Sequence, residues 1–128
     1  MATQVESRNR SFKAGADLSA KQYFIVKLSS GNVVLASAAT DIILGVLQNK
    51  PKSGENADVT LANAQGTVKV VAGGSISAGN MVTADSAGKA VATTTVGNYI
   101  LGMALEDADS GDVFEVMPIA HRRYAATS

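Results

Sequence analysis

The chain has 128 residues, no cysteine, and eleven basic against eleven acidic residues, so its formal net charge is zero. This length suits one small domain, and the lack of cysteine excludes disulfides, thiolate metal sites and cysteine nucleophiles. A neutral chain also lacks the overall basic field that attracts nucleic acid.

Short β-type runs separated by turn residues predict an all-β domain. In chain order, the nine predicted strands are residues 22–28, 32–36, 42–48, 58–63, 66–72, 80–84, 89–93, 99–105 and 112–119. Glycine-containing turns such as Ser53-Gly54 and Ser110-Gly111 separate them. No window has a convincing helical period, so we expect a compact barrel or sandwich, without a choice between the two.

The two halves of the chain are similar in sequence. Ile-Leu-Gly at residues 43–45 recurs at 100–102, and Ser-Gly followed by an acid at 53–55 recurs at 110–112. Both recurrences have an offset of 57 positions. Turns and strands use a limited set of residue types, but this alone does not explain matches at a common offset. We therefore predict an internal duplication.

The first part of each half aligns at a different offset. Residues 14–22 match residues 72–80 at 58 positions, and one residue is then lost. The predicted repeats are about 12–62 and 70–119, within a single domain of residues 12–119. A meander of four strands has too little core to be stable alone, so two halves must pack on each other.

Gly45 and Gly102 lie at equivalent positions inside apolar strands. Glycine weakens a strand and usually marks a bulge, a sharp bend or a close approach of another backbone. We expect the same structural bend at both glycines.

The charge is divided unevenly along the chain. Residues 1–52 carry seven basic and three acidic residues, a net charge of +4, whereas residues 53–128 carry four and eight, a net charge of −4. Opposite charges on the halves suit association with further copies or with a complementary surface. Ordinary solvated faces would give the same counts, so both interpretations stay open.

No stretch carries a convincing catalytic or ligand-binding motif. The single histidine, His121, lies beside Arg122 and is more typical of a surface or interface than of a triad. Residues 106–112 are acidic but lack the glycine and glutamate spacing of a calcium loop, and residues 71–80 match no phosphate-binding loop. We expect no enzyme activity, catalytic site, metal, cofactor or small-molecule substrate, and no nucleic-acid or membrane partner.

One repeated unit carries a family resemblance. It runs through "LSAKQYFIVKL" (18–28) or "ISAGNMVTA" (76–84), a glycine turn, "IILGVLQ" (42–48) or "YILGMAL" (99–105), and then "SGE" or "SGD". Over residues 12–119 this pattern resembles the small decoration, or cement, proteins of tailed bacteriophage capsids.

The resemblance implies a β domain, often a homotrimer, on the outer surface of the mature virion capsid. Such proteins are made in the host cytoplasm, sit at three-fold or quasi-three-fold positions, and clamp neighbouring capsomers. The implied partners are the major capsid protein and further copies of the chain. The implied role is stabilisation of the head.

The polar tails are predicted to be arms that reach a partner. The N-terminal arm is residues 1–11 and the C-terminal tail is residues 120–128. The residues predicted to contact the capsid or another subunit are Arg8, Arg10, Phe12, Arg122, Arg123 and Tyr124.

Two other functions stay open at this point. A phage tail, fibre or spike module that binds a host surface glycan is the first, although six aromatic residues and no tryptophan argue weakly against it. A small β-fold hydrolase is the second, and it depends only on carboxylates such as Glu106, Asp107 and Asp109.

Overall fold

The computed structural model describes residues 9–62 and 66–119, and these residues contain ten β-strands and no helix. The strands are β1 (Asn9–Lys13), β2 (Ile25–Ser29), β3 (Asn32–Leu35), β4 (Gly45–Leu47), β5 (Asn56–Leu61), β6 (Val68–Val71), β7 (Met81–Ala84), β8 (Ala90–Ala92), β9 (Gly102–Ala104) and β10 (Val113–Pro118). The predicted all-β class is confirmed. No helix in these two ranges is long and apolar enough to cross a membrane.

Nine of the ten strands overlap a strand predicted from the sequence. The strand that the sequence analysis missed is β1, because its residues are polar apart from Phe12 and show no apolar alternation. Residues 9–11, assigned above to the N-terminal arm, therefore form the first part of β1. The rest of that arm, residues 1–8, and the tail at 120–128 lie outside the described residues.

The strands form two antiparallel five-stranded sheets in a sandwich-like fold. The first sheet has the order β1-β5-β4-β2-β3, and the second has β6-β10-β9-β7-β8. In each sheet the two outer strands meet at an isolated parallel bridge, Ala14–Val33 in the first and Ala72–Ala90 in the second. Each sheet is therefore strongly curled around an interior of its own.

The two sheets also share their register. Phe12 faces Ala57 across β1 and β5, and Val70 faces Phe114 across β6 and β10. An internal duplication requires the same strand order and register in both sheets, as observed, but the duplication itself stays a prediction. We call residues 9–62 the first half and residues 66–119 the second half.

Hydrogen bonds change the alignment of the halves only in the last residues before β2. The Tyr23 N–H donates to the Leu47 carbonyl at 2.7 Å, and the Gly79 N–H donates to the Ala104 carbonyl at 2.8 Å. Both donors have a left-handed backbone, with φ of 70° at Tyr23 and 93° at Gly79. Tyr23 therefore corresponds to Gly79, at an offset of 56. The predicted offset of 58 holds up to Leu18 and Ile76, whose N–H groups donate to the equivalent carbonyls of Pro51 and Ala108. The β7–β8 hairpin is one residue longer than the β2–β3 hairpin, which restores the offset to 57.

The interior of each curled sheet is apolar. In the first half a separate cluster fills it, made of Ala14, Leu18, Val26, Val33, Leu47, Ala57 and Val59. In the second half the equivalent residues belong to a larger cluster that also includes Ile25 and Val46 of the first sheet. The second core thus extends through the contact between the sheets.

Main-chain hydrogen bonds join the two halves. The Ile25 N–H donates to the Gly88 carbonyl at 2.7 Å, and the Val71 N–H donates to the Tyr23 carbonyl at 3.0 Å. Buried main-chain groups need such partners because water cannot reach them. The contact between the halves is therefore fixed in direction as well as by apolar area.

Gly45 and Gly102 both lie against the backbone of a neighbouring strand. A Cβ atom on Gly45 would collide with the Thr60 carbonyl, and one on Gly102 would collide with the Met117 carbonyl. Neither glycine has a positive φ, so close approach rather than backbone conformation requires glycine there. The bend that the sequence analysis expected at both glycines stays a prediction, whereas the close approach of another backbone is present at both.

Candidate capsid and subunit contact surface

Strand β1 carries the two predicted contact residues that the structure describes. Arg10 is exposed, and its Cζ atom lies 4.7 Å from the centre of the Phe12 ring. Phe12 is half-buried and packs against the interior cluster of the first sheet. The structure therefore brings these two residues together, with Phe12 anchoring β1 to its own domain and Arg10 facing solvent.

Side chains hold β1 on its neighbour. The Ser11 hydroxyl donates to Asp58 Oδ1 at 2.9 Å, and the Thr60 hydroxyl donates to Asn9 Oδ1 at 2.7 Å. Because β1 is an outer strand of its sheet, it can offer main-chain groups to an added strand from a partner.

The other predicted contact residues are at the chain ends. Arg8, Arg122, Arg123 and Tyr124 lie outside the described residues, as does His121. Their role stays a prediction from the sequence.

The acidic turn uses its carboxylates to hold the main chain. Asp107 Oδ1 accepts from the Ala78 N–H at 2.8 Å, and Asp112 Oδ2 accepts from the Asp109 N–H at 3.0 Å. In the equivalent turn of the first half, Glu55 Oε1 accepts from the Lys52 N–H at 2.7 Å. Within residues 9–62 and 66–119, no group of three or more His, Cys, Asp or Glu side chains could hold a metal ion. The turn signature shared by the two halves thus has a structural use.

The Asp41 carboxylate fixes a loop of the first half, between β3 and β4, that contacts the second half. Asp41 Oδ2 accepts from the Ser37 N–H at 2.9 Å, from the Ala38 N–H at 3.1 Å, and from Lys27 Nζ at 2.9 Å. These bonds, the Ser37 N–H foremost and then Lys27, lower the pKa of Asp41. The loop that they fix presents the Ala39 carbonyl.

The Ala39 carbonyl is an acceptor for the second half. The Tyr99 N–H donates to it at 2.8 Å, and the Thr83 hydroxyl donates to it at 3.1 Å. Asp41 therefore acts on the contact between the halves through the loop that it holds.

An apolar surface lies on the outside of the second sheet, where sequence analysis did not predict one. Met81 is paired with Met103, and Met103 with Met117, across three adjacent strands. Directly paired residues point to the same face of a sheet, so these side chains form what we call the methionine row. Met117 is 39% exposed, and the other two are half-buried. Three of the four methionines in the chain are in this row. Their placement in three predicted strands of one half was the sequence signal that could have indicated this surface.

Two further large apolar side chains stand in solvent. Ile42 is 67% exposed and Val96 is 62% exposed. Both follow an outer strand, β3 or β8, and precede the strand that contains Gly45 or Gly102. Exposed apolar groups of this size mark an interaction surface more often when several of them occur together.

The described residues thus form a β-protein with an outer strand, β1, and a row of methionines at its surface. A family model of phage cement proteins matches residues 12–119. The chain belongs to the phage cement protein family, as its resemblance implied. It is a phage head-associated structural protein of the virion, at the outer surface of the capsid, and proteins of this class are in general not enzymes.

A solved structure supports the fold assignment. The crystal structure of the head fiber gp8.5 N base in bacteriophage phi29 matches with a TM-score of 0.68 and 21% sequence identity. The match covers 89% of this chain and 97% of that one. At this identity the likeness establishes the shared fold. No curated protein matches the sequence.

Proposed function

We propose that this protein cements the mature phage head by binding the major capsid protein on its outer surface. It does so as a homotrimer at three-fold or quasi-three-fold positions, and it carries out no chemical reaction. The observation that carries this proposal is the family match over residues 12–119. The likeness to a phi29 head fiber base is in keeping with it.

The described surface offers suitable docking groups. Strand β1 is an outer strand with an exposed arginine, Arg10, and it follows directly on residues 1–8. When the extended arm of this chain adds to a sheet edge of a partner, it binds through its main chain, and its side chains set the register. Many copies on one shell make weak single contacts effective through avidity.

Co-sedimentation with shells tests the proposal. Purified protein is mixed with expanded shells of the major capsid protein from the same phage, and separately with unexpanded procapsids. We expect saturable pelleting at a fixed stoichiometry with expanded shells and weaker pelleting with procapsids. Failure to pellet with either shell would contradict the proposal.

The role of the N-terminal arm needs a deletion that spares the sheet. Because residues 9–11 form part of β1, removal of residues 1–8 separates arm binding from folding better than removal of 1–11. We expect the shorter deletion to abolish pelleting while the far-ultraviolet circular dichroism spectrum stays that of the full chain. Undiminished pelleting would remove the arm from the proposal.

A further inference from the structure

We infer that copies of this chain associate head to tail, with the methionine row and Val96 of one copy against β1 and Ile42 of the next. This deepens the homotrimer in the proposed function by naming the surface between subunits. The two halves of one chain already make a contact of this kind.

Within the chain, the second half covers the outer face of the first sheet. Ile25 is paired with Val46, and Val46 with Thr60, in a row across β2, β4 and β5. Ile25 and Val46 are fully buried, and Thr60 is 4% exposed. Since these three side chains point away from the interior of their own sheet, the neighbouring half is what excludes water from them.

The methionine row occupies the same positions in the second sheet. Gly45 is paired with Val26 and lies next to Val46, just as Gly102 is paired with Val82 and lies next to Met103. By this register Ile25, Val46 and Thr60 correspond to the three methionines. In the first sheet the row is covered, whereas in the second sheet it is half-buried to exposed.

The surface of the second half that covers the first sheet also has an equivalent in the first half. In the second half it includes Tyr99, at 9% exposure, and Val71, whose N–H donates to the Tyr23 carbonyl of the first half. By the register of β1 and β6, the equivalent positions of the first half are Ile42 and Lys13, which are both exposed. The chain thus carries one uncovered copy of each side of its own internal contact.

A single hydrogen-bonded pair shows the correspondence most clearly. The Tyr99 N–H donates to the Ala39 carbonyl at 2.8 Å. At the offset of 57, Tyr99 corresponds to Ile42 and Ala39 to Val96, the two most exposed large apolar residues of the described chain. In a head-to-tail contact Ile42 of one copy meets Val96 of the next, which removes both from water.

Electrostatics favour the same orientation. The first half carries six basic and four acidic residues, a net charge of +2, and the second half carries two and six, a net charge of −4. Contact between unlike halves is attractive, and contact between like halves is repulsive. The charges therefore select head-to-tail association over a two-fold dimer of like halves.

An interface between unlike surfaces closes into a ring or continues as a fibre. A ring of three copies contains six halves in sequence, each covering the outer face of its neighbour. Closure at three copies accounts for the homotrimer of the proposed function and leaves no methionine row exposed.

Light scattering after size exclusion tests this on the full chain. We expect wild-type protein at about three times the 13.1 kDa chain mass. Ile42→Asp and Val96→Asp should each be monomeric, because an unpaired buried carboxylate raises the dissociation constant of the interface by roughly a hundredfold or more. Wild-type protein that stays monomeric at its highest soluble concentration would overturn the inference.

Val113→Asp is the matched control. Val113 is 48% exposed on an outer face of the same sheet, but its counterpart Asn56 is also exposed, so it lies outside the repeated contact. We expect the control to keep the wild-type mass. Thermal unfolding of all three variants shows whether each remains folded. Loss of the oligomer in the control as well, or its persistence in both interface variants, would contradict the inference.

Mixing the two interface variants identifies the orientation. Ile42→Asp keeps an intact Val96 side, and Val96→Asp keeps an intact Ile42 side, so the mixture should form a 1:1 dimer with one native interface and no ring. A mixture that stays monomeric would overturn the head-to-tail arrangement. Shell pelleting of the same variants is read separately, so that a variant that is monomeric but still pellets leaves the cement function standing.

Discussion

The two sheets have the same strand order and register, yet they fill their interiors differently. In the first sheet Leu47 on β4 is large and Ala57 on β5 is small, while in the second the equivalent residues are Ala104 and Phe114. The large side chain has moved to the neighbouring strand on the same face. A curled sheet therefore constrains the sum of the volumes in its interior more strongly than the residue at any one position.

The outer faces of the two sheets differ in polarity as well as in exposure. The covered row of the first sheet includes a hydroxyl at Thr60, whereas the uncovered row of the second has Met117 at that position. Thr60 is satisfied by a hydrogen bond to Asn9, so burial is possible without a larger apolar group. The same backbone frame thus serves a contact inside the chain in one half and presents an apolar surface in the other.

The interior exchange is expected to give the largest effect on stability. Phe114→Ala should lower the free energy of unfolding by about 3–5 kcal/mol, because it leaves a cavity in a core that cannot collapse fully. Urea unfolding measures the change. Adding Ala104→Leu to Phe114→Ala copies the arrangement of the first sheet and should recover part of the loss. A double variant no more stable than Phe114→Ala would contradict the exchange of volume.

The two strand glycines test whether the covered face is the more rigid. Gly45→Ala and Gly102→Ala should each cost about 1–3 kcal/mol, because the new methyl group meets a neighbouring carbonyl. In dilute monomers the larger loss should be at Gly45, whose neighbour Thr60 is buried, since the backbone beside the exposed Met117 can move more easily. Gly74→Ala is the control, because nothing lies within 4 Å of its new Cβ. Equal losses of stability at Gly45 and Gly102 would contradict the expectation that the covered face is the more rigid.

The loop held by Asp41 should make the contact between halves sensitive to acid. Its pKa is lowered below 3.8 in the folded chain, first by the Ser37 N–H, so the unfolded chain binds the proton more readily. The resulting stability is complete above the unfolded pKa and is lost as the pH falls through the lowered value. Asp41→Asn should cost about 1–2 kcal/mol at neutral pH, allowing for partial solvent screening.

Thermal unfolding against pH measures this effect. In Asp41→Asn the loss of stability between pH 5 and pH 2 should be smaller than in the wild type, because asparagine takes up no proton in this range. An unchanged pH profile would assign the acid sensitivity to other carboxylates.

The smallest effect is expected at Arg10. Arg10→Ala should cost at most about 0.5–1 kcal/mol, the usual range for an exposed cation over an aromatic ring. Its counterpart Val68 is buried, so Val68→Ala should cost more. Urea unfolding of both variants, measured as dilute monomers, compares the exposed position with the buried one. A larger loss for Arg10→Ala would mean that the charge contributes to the fold itself.

Much of the fold could be predicted from local sequence. Alternating apolar residues and turn glycines indicated nine strands, and the recurrence at residues 43–45 and 100–102 indicated equivalent strands. Strand β1 was missed because an outer strand held by Ser11, Asn9 and the ring of Phe12 needs no apolar alternation. The predicted offset of 58 holds at Leu18 and Ile76, but it shifts by two residues before Tyr23 and Gly79, where unlike residues fill the same left-handed position.

The sequence by itself determined the all-β class, the strand glycines and the family, since each depends on short patterns of turn and apolar residues. Only the tertiary structure decided which of two equivalent faces is buried. Ile25 and Met81, or Tyr99 and Ile42, have similar local contexts, and their exposure differs because one half of the chain packs on only one side of the other. Burial of this kind is a property of the contact between the sheets, and no local pattern encodes it.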